Sequence, residues 1–185
     1  DWSSDVCSSD LNSYYYENVN RRFPSKQWTS KTTEVSTTFN GITCTNVNIT
    51  LSTSGITYGS GIYNLYLSSY NYTIDDSRNS YTIFDYDDTF GTAGGHFQTG
   101  NYNATTGAYT GTRYLVDVNY KGEWAVIKLP LNIVPSSFSI TQRSTLTTRS
   151  PKNFKLYGSK NGTSWTTLST ITNATYTSLL FTGSI

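Results

Sequence analysis

"FKLYGSKNGTSWTTL", residues 154–168, decides the fold. Phe154 and Leu156 alternate with polar neighbours, the run stops at Gly158, and Trp165 reopens the chain beyond a polar corner. Alternation at a period of two is the mark of a half-buried strand. Asn161-Gly162 supplies the two positive-φ residues that a tight hairpin corner needs. The stretch therefore predicts adjacent antiparallel strands over 154–157 and 165–168. Trp165 and Leu168 stand three positions apart, so a regular strand cannot turn both to one face. That spacing predicts a bulge, or a tryptophan lying at the boundary of the core.

The same period recurs outward from this point. Val47, Ile49 and Leu51 share one face of "NVNITLS", and Asn46, Asn48 and Thr50 the other. Tyr63, Leu65 and Leu67 share a face, as do Tyr114, Val116 and Val118 of "TRYLVDVN". "GEWAVIKLP" divides Ala125, Ile127 and Leu129 from Trp124, Val126 and Lys128; Val134, Phe138 and Ile140 align in the next run, and "TSLLFTGSI" reads as a final strand. Between them lie glycine- and asparagine-rich corners such as "YGSG", "GTAGG" and "TTGAYTG". No apolar stripe of helical period is sustained anywhere, and the expected class is all-β.

Composition agrees. Serine and threonine make up close to a third of the 185 residues and tyrosine alone contributes 16, a sheet-and-turn composition poor in helix formers. Charged residues are 14% with a net charge of +1, which argues against nucleic acid or an anionic membrane as partner; "RR" (21–22) and "DYDD" (85–88) read as solvated surface. No apolar run has the length of a membrane span. Methionine is absent, so the chain reads as a fragment, and residues 1–11, "DWSSDVCSSDL", resemble a translated sequencing adapter. Setting those residues aside removes Cys7 and leaves Cys44 unpaired, to be read as a small buried hydrophobe. Residues 12–20 are read as a disordered or linker segment, and 21–185 as one domain. Asn-x-Ser/Thr sequons occur at Asn48, Asn71, Asn103, Asn161 and Asn173, about as many as chance predicts in this composition.

"GEWAVIKLP", "IVPSSFSITQR" and "RSPKNFKLYGSKNGTSWTTL", taken in order, resemble the central run of discoidin domains, also called coagulation factor V/VIII type C. The elements of that pattern are Gly122, Glu123, Trp124, Arg143, Arg149, Pro151, Gly158, Ser159, Gly162 and Trp165. Upstream, "FDYDDTFGTAGGHF" and "YNATTGAYTG" resemble the family's loops more loosely. The resemblance implies an antiparallel jelly-roll β-sandwich of the galactose-binding-like kind over 21–185, missing its last strands and leaving an unpaired edge. It also implies an extracellular, cell-surface or virion-surface setting, with binding to glycans, surfaces or partner proteins through loops at one end of the sandwich.

Many family members hold a structural Ca2+. Asp85 matches the aspartate that opens the family's calcium loop, but Tyr86 replaces its glycine, Asp87 its asparagine, and Thr89 falls one position early. Asp85, Asp87, Asp88 and Thr89 could begin an oxygen shell for calcium; the alternative is a polar loop in which aspartate caps backbone amides. No other cofactor is implied.

Sugar rings offer an apolar C–H face to an aromatic plane while polar neighbours take the hydroxyls. The glycan-binding candidates are accordingly Phe97, Tyr102 and Tyr109 for stacking, His96 for a hydroxyl, and Arg143 and Arg149 as planar donors to an acidic group. His96 is the one histidine, no Gly-x-Ser-x-Gly or Cys/His set occurs, and Glu123 in its Gly-Glu-Trp elbow suits a structural place better than a catalytic one. The expectation is a non-catalytic carbohydrate-binding or adhesion module. The alternatives are a structural module of a surface or virion protein that binds no sugar but packs on neighbouring domains of its parent protein, and an accessory domain of a larger secreted enzyme.

Overall fold

The computed structural model describes residues 22–25, 27–51, 59–69, 80–84, 99–142, 144 and 147–185. Within them the chain forms β1 (Thr33–Phe39), β2 (Ile42–Leu51), β3 (Gly61–Leu67), β4 (Ala125–Lys128), β5 (Ser137–Thr141), β6 (Phe154–Gly158), β7 (Thr166–Ile171) and β8 (Leu180–Ser184). The helical elements described are short 3₁₀ turns at Ser80–Phe84, Thr99–Asn101 and Thr147–Arg149. Every strand pairing is antiparallel, and the class is all-β.

The strands form a four-stranded sheet in the order β1-β2-β3-β4 and two ribbons, β5-β8 and β6-β7. Asn40 (φ 49) and Gly41 (φ 77) close the β1–β2 hairpin, whose last pair is Phe39 with Ile42. Consecutive positive-φ residues give a corner whose twist matches that of the strands it joins.

Alternation then sorts the two faces of the large sheet. Val47, Ile49, Leu51, Tyr63, Leu65 and Leu67 are buried together with Trp28, and Ile127 and Leu129 pack against them. Burying one such aliphatic side chain contributes about 1.5–3 kcal/mol, so this cluster is the main apolar contribution among the described residues. Trp28 meets Tyr63 edge-on at 5.6 Å and Phe84 at 4.7 Å, and the Tyr63 hydroxyl donates to the Gly59 carbonyl at 2.8 Å. On the opposite face Cys44, Trp124 and Val126 are buried, with Phe39, Ile42, Tyr66, Leu115 and Trp165 against them.

The β6–β7 ribbon forms on either side of the Asn-Gly pair, but not across a two-residue corner: β6 ends at Gly158, β7 begins at Thr166, and of the pair Gly162 has positive φ (75) while Asn161 does not. Leu156 pairs with Ser169 and Tyr157 with Thr167, so Leu168 is the extra residue of a bulge. The bulge resolves the three-residue spacing: Trp165 sits just before β7 and packs on Phe39 at 6.1 Å. "TSLLFTGSI" becomes β8, which pairs with β5.

The strand expected within 112–119 does not form. Val116 and Val118 are exposed, the Tyr120 amide donates to the Asp117 carbonyl, and the Asn119 amide donates to the Asp117 carboxylate. The Asp117 side chain offers this backbone a turn in place of a ladder. Val134, expected to align with Phe138, is instead 97% exposed ahead of β5. Phe138, Phe154, Phe181 and Tyr176 form a half-buried aromatic group between the two ribbons, apart from the cluster that Ile127 joins.

Candidate functional site

Of the residues expected to bind a ligand, the structure brings Tyr102 and Tyr109 together. They form an isolated antiparallel bridge, with their rings edge-on at 5.2 Å. The arm that carries them folds back at 103–108. The Asn103 carboxamide oxygen accepts from the Thr105 and Thr106 amides, both at 2.9 Å, and the Asn103 amide donates to the Ala108 carbonyl at 2.8 Å. Gly107, at φ 69, completes the corner. Asparagine tolerates such a turn because its side chain imitates a backbone acceptor.

The base of this arm is held by a carboxylate that residue types alone do not rank first. The Glu123 side chain has 0% exposure and accepts from five side-chain donors. Its Oε1 accepts from the Asn101 carboxamide, from the Tyr109 hydroxyl at 3.2 Å and from Arg113 Nη1 at 3.1 Å; its Oε2 accepts from Ser68 Oγ and from Ser69 Oγ at 2.9 Å. A buried charge is costly unless it is paired and its remaining lone pairs are satisfied, and this shell does both. Backbone bonds complete the joint: the Trp124 amide donates to Ser68 Oγ at 2.8 Å, and the Gly122 amide to the Arg113 carbonyl at 2.9 Å.

Both tyrosines titrate above the usual tyrosine range. Burial is the main cause for each, and the Glu123 charge adds to it because a phenolate would face a carboxylate. The Tyr109 hydroxyl meets the Glu123 carboxylate and Tyr102 bonds to the Glu123 backbone, while 39% of the Tyr102 surface stays exposed. Gly111 lies under the Tyr109 ring, where any β-carbon would collide with it.

Beside this joint lies an open depression of about 240 Å³ lined by Ser36, Thr43, Thr45, Ser68, Ser69 and Arg113 together with the buried Cys44. Ser68 and Ser69 donate to Glu123, and Ser68 Oγ also accepts from the Trp124 amide; Arg113, with one nitrogen bound to Glu123, keeps a third of its side chain exposed. Burial raises the Cys44 thiol above its ordinary range, which keeps it protonated and unreactive. The lining can accept and donate hydrogen bonds to a hydroxylated ligand.

His96, Phe97 and Arg143 lie outside the described residues, as do Asp85, Asp87, Asp88 and Thr89 of the expected calcium loop. Arg149 ends the 3₁₀ turn Thr147–Arg149, and its side chain is not among those described. Among the described residues no group of three His, Cys, Asp or Glu side chains is placed to hold a metal ion, and no helix is long and apolar enough to cross a membrane.

Neither the family models, nor the curated proteins, nor the solved structures with which the chain was compared include a match to it.

Proposed function

We propose that this chain is a non-catalytic binding module of the discoidin, jelly-roll kind, acting at an extracellular, cell or virion surface and taking glycans through its loops. One observation supports the reading best. The arm over 99–113 is anchored through Asn101, Tyr109 and Arg113 to the buried Glu123 and carries the partly exposed Tyr102, while Ser68, Ser69 and Arg113, which also bind Glu123, line a polar depression. An aromatic plane on a rigid support loses little freedom on binding, and nearby hydroxyl and guanidinium groups suit the rim of a sugar.

A glycan array on the whole chain, followed by titration of the best ligand, tests this. Tyr102→Ala should weaken that ligand about five- to tenfold, since a stacked ring contributes about 1 kcal/mol, with a modest loss of Tm from the lost contact with the Tyr109 ring. Binding at background level across the array would end the proposal.

A second reading is a structural or adhesive module that packs on neighbouring domains. The almost fully exposed Val134 and the exposed Val116, Val118 and Leu131 favour it, because such side chains gain from being covered.

A further inference from the structure

The chain carries the same dipeptide at two described corners, Asn40-Gly41 and Asn161-Gly162, and folds them into very different surroundings. Asparagine before glycine is chemically labile. The glycine nitrogen attacks the asparagine Cγ and loses its proton, the carboxamide nitrogen leaves as ammonia, and a succinimide ring closes. Water then opens the ring at either carbonyl, leaving aspartate or a β-linked aspartate. Water is the sole co-reactant and no electrons are transferred. Ring closure needs a mobile carboxamide and a free backbone nitrogen, so the local hydrogen bonds set its rate.

At the second corner both requirements are blocked. The Asn161 carboxamide oxygen accepts from the Thr163 amide at 3.0 Å and from the Ser164 amide at 2.8 Å. The attacking nitrogen, that of Gly162, donates to Ser159 Oγ at 2.8 Å, and Ser159 Oγ also donates to Asn161 Oδ1 at 3.2 Å. At the first corner neither restraint exists among the described residues. Asn40 and Gly41 are exposed, no hydrogen bond reaches the Asn40 side chain, and no atom lies within 4 Å of the position a β-carbon on Gly41 would take. The Asn40 corner has only to open locally to reach the attack geometry, a cheap fluctuation at the tip of an edge hairpin.

We infer that Asn40 is a site of spontaneous modification, an amide-to-acid conversion through a succinimide, and that the fold protects Asn161 from the same reaction. The product matters to the structure. A β-linkage adds a backbone atom to a two-residue corner, and the pair it closes begins with Phe39, whose ring touches Tyr66 at 4.8 Å, Trp124 at 5.8 Å and Trp165 at 6.1 Å. The modification therefore reaches the second apolar cluster from an exposed tip.

The test is to hold the whole chain at mildly alkaline pH and body temperature, then digest it and follow both peptides by mass spectrometry. Asn40 should convert on the order of tenfold faster than Asn161, the ratio that corresponds to one or two net hydrogen bonds released before attack. In denaturant the two rates should converge, since the dipeptide is the same. Ser159→Ala should speed Asn161 severalfold and leave Asn40 unchanged. Equal native rates, earlier conversion of Asn161, or a gap that survives denaturation would each overturn the inference.

Discussion

Glu123 shows how much one residue can organise. Its carboxylate joins Ser68 and Ser69 at the end of β3, Asn101 in the 3₁₀ turn, Tyr109 in the arm and Arg113 beyond it. None of these donors neighbours Glu123 in sequence, so one carboxylate ties together parts of the chain that are far apart along it. Replacing that acceptor leaves the Arg113 charge without its partner and several donors facing an uncharged group. Glu123→Gln should destabilise the chain by about 3–5 kcal/mol, read as a Tm lower by roughly 6–20 °C for a chain of this size. A Tm within a few degrees of the parent would mean that water replaces the carboxylate at no great cost. Lys155 gives the surface counterpart. It donates to Asp117 at 3.2 Å and lies 4.3 Å from the Tyr120 ring centroid, with both members of the pair partly exposed. The Asn119 amide and then Lys155 hold the Asp117 carboxyl below its usual range, and the hydrogen bond to Asp117 raises the Lys155 ammonium. Solvent screens this pair, and its contribution is small.

At the scale of elements, the hairpin corners are the most readable features, because an Asn-Gly corner is a local matter of φ. Asn161-Gly162 marks β6–β7, and Asn40-Gly41 is the corresponding mark for β1, a strand whose own "TEVSTTF" is too polar to declare itself. The run at 112–119 shows the limit of such reading. Tyr114, Val116 and Val118 alternate as a strand would, yet among the described residues no neighbouring strand meets them, and Asp117 turns the backbone aside. A β period states what a segment would bury, not whether a partner exists to bury it. Close approach within the β5–β8 ribbon supplies a test at this scale. Gly183 on β8 is buried against Phe138 and Phe181, and a β-carbon there would overlap the Phe138 ring. Gly183→Ala should cost about 1–3 kcal/mol through a displaced ring, visible as a lower denaturation midpoint with an unchanged m-value; an unchanged midpoint would show that the ring moves aside freely.

The whole molecule has a well-buried centre and a looser end. Val47 and Tyr63 and Leu65 reach 0% exposure in the four-stranded sheet, whereas every residue of β6 is only half-buried. Amide hydrogens that open only with the whole chain are those of the best-buried ladders. Native-state hydrogen exchange should therefore be slowest in β2 and β3 and faster in β5, β6 and β8. Equal protection throughout would show that the ribbons and the sheet open as one unit.

The amino-acid sequence by itself determined the class, the faces of β2, β3 and β4, the β6–β7 corner and the irregularity beside Trp165. All of these follow from side-chain period and backbone preference within a few residues. Only the tertiary structure decided that β8 pairs with β5, that 112–119 forms no ladder, and that Glu123 holds the arm of Tyr102 and Tyr109. Pairing and charge compensation depend on which distant groups arrive at the same place. That is a property of the folded chain, and no local period encodes it.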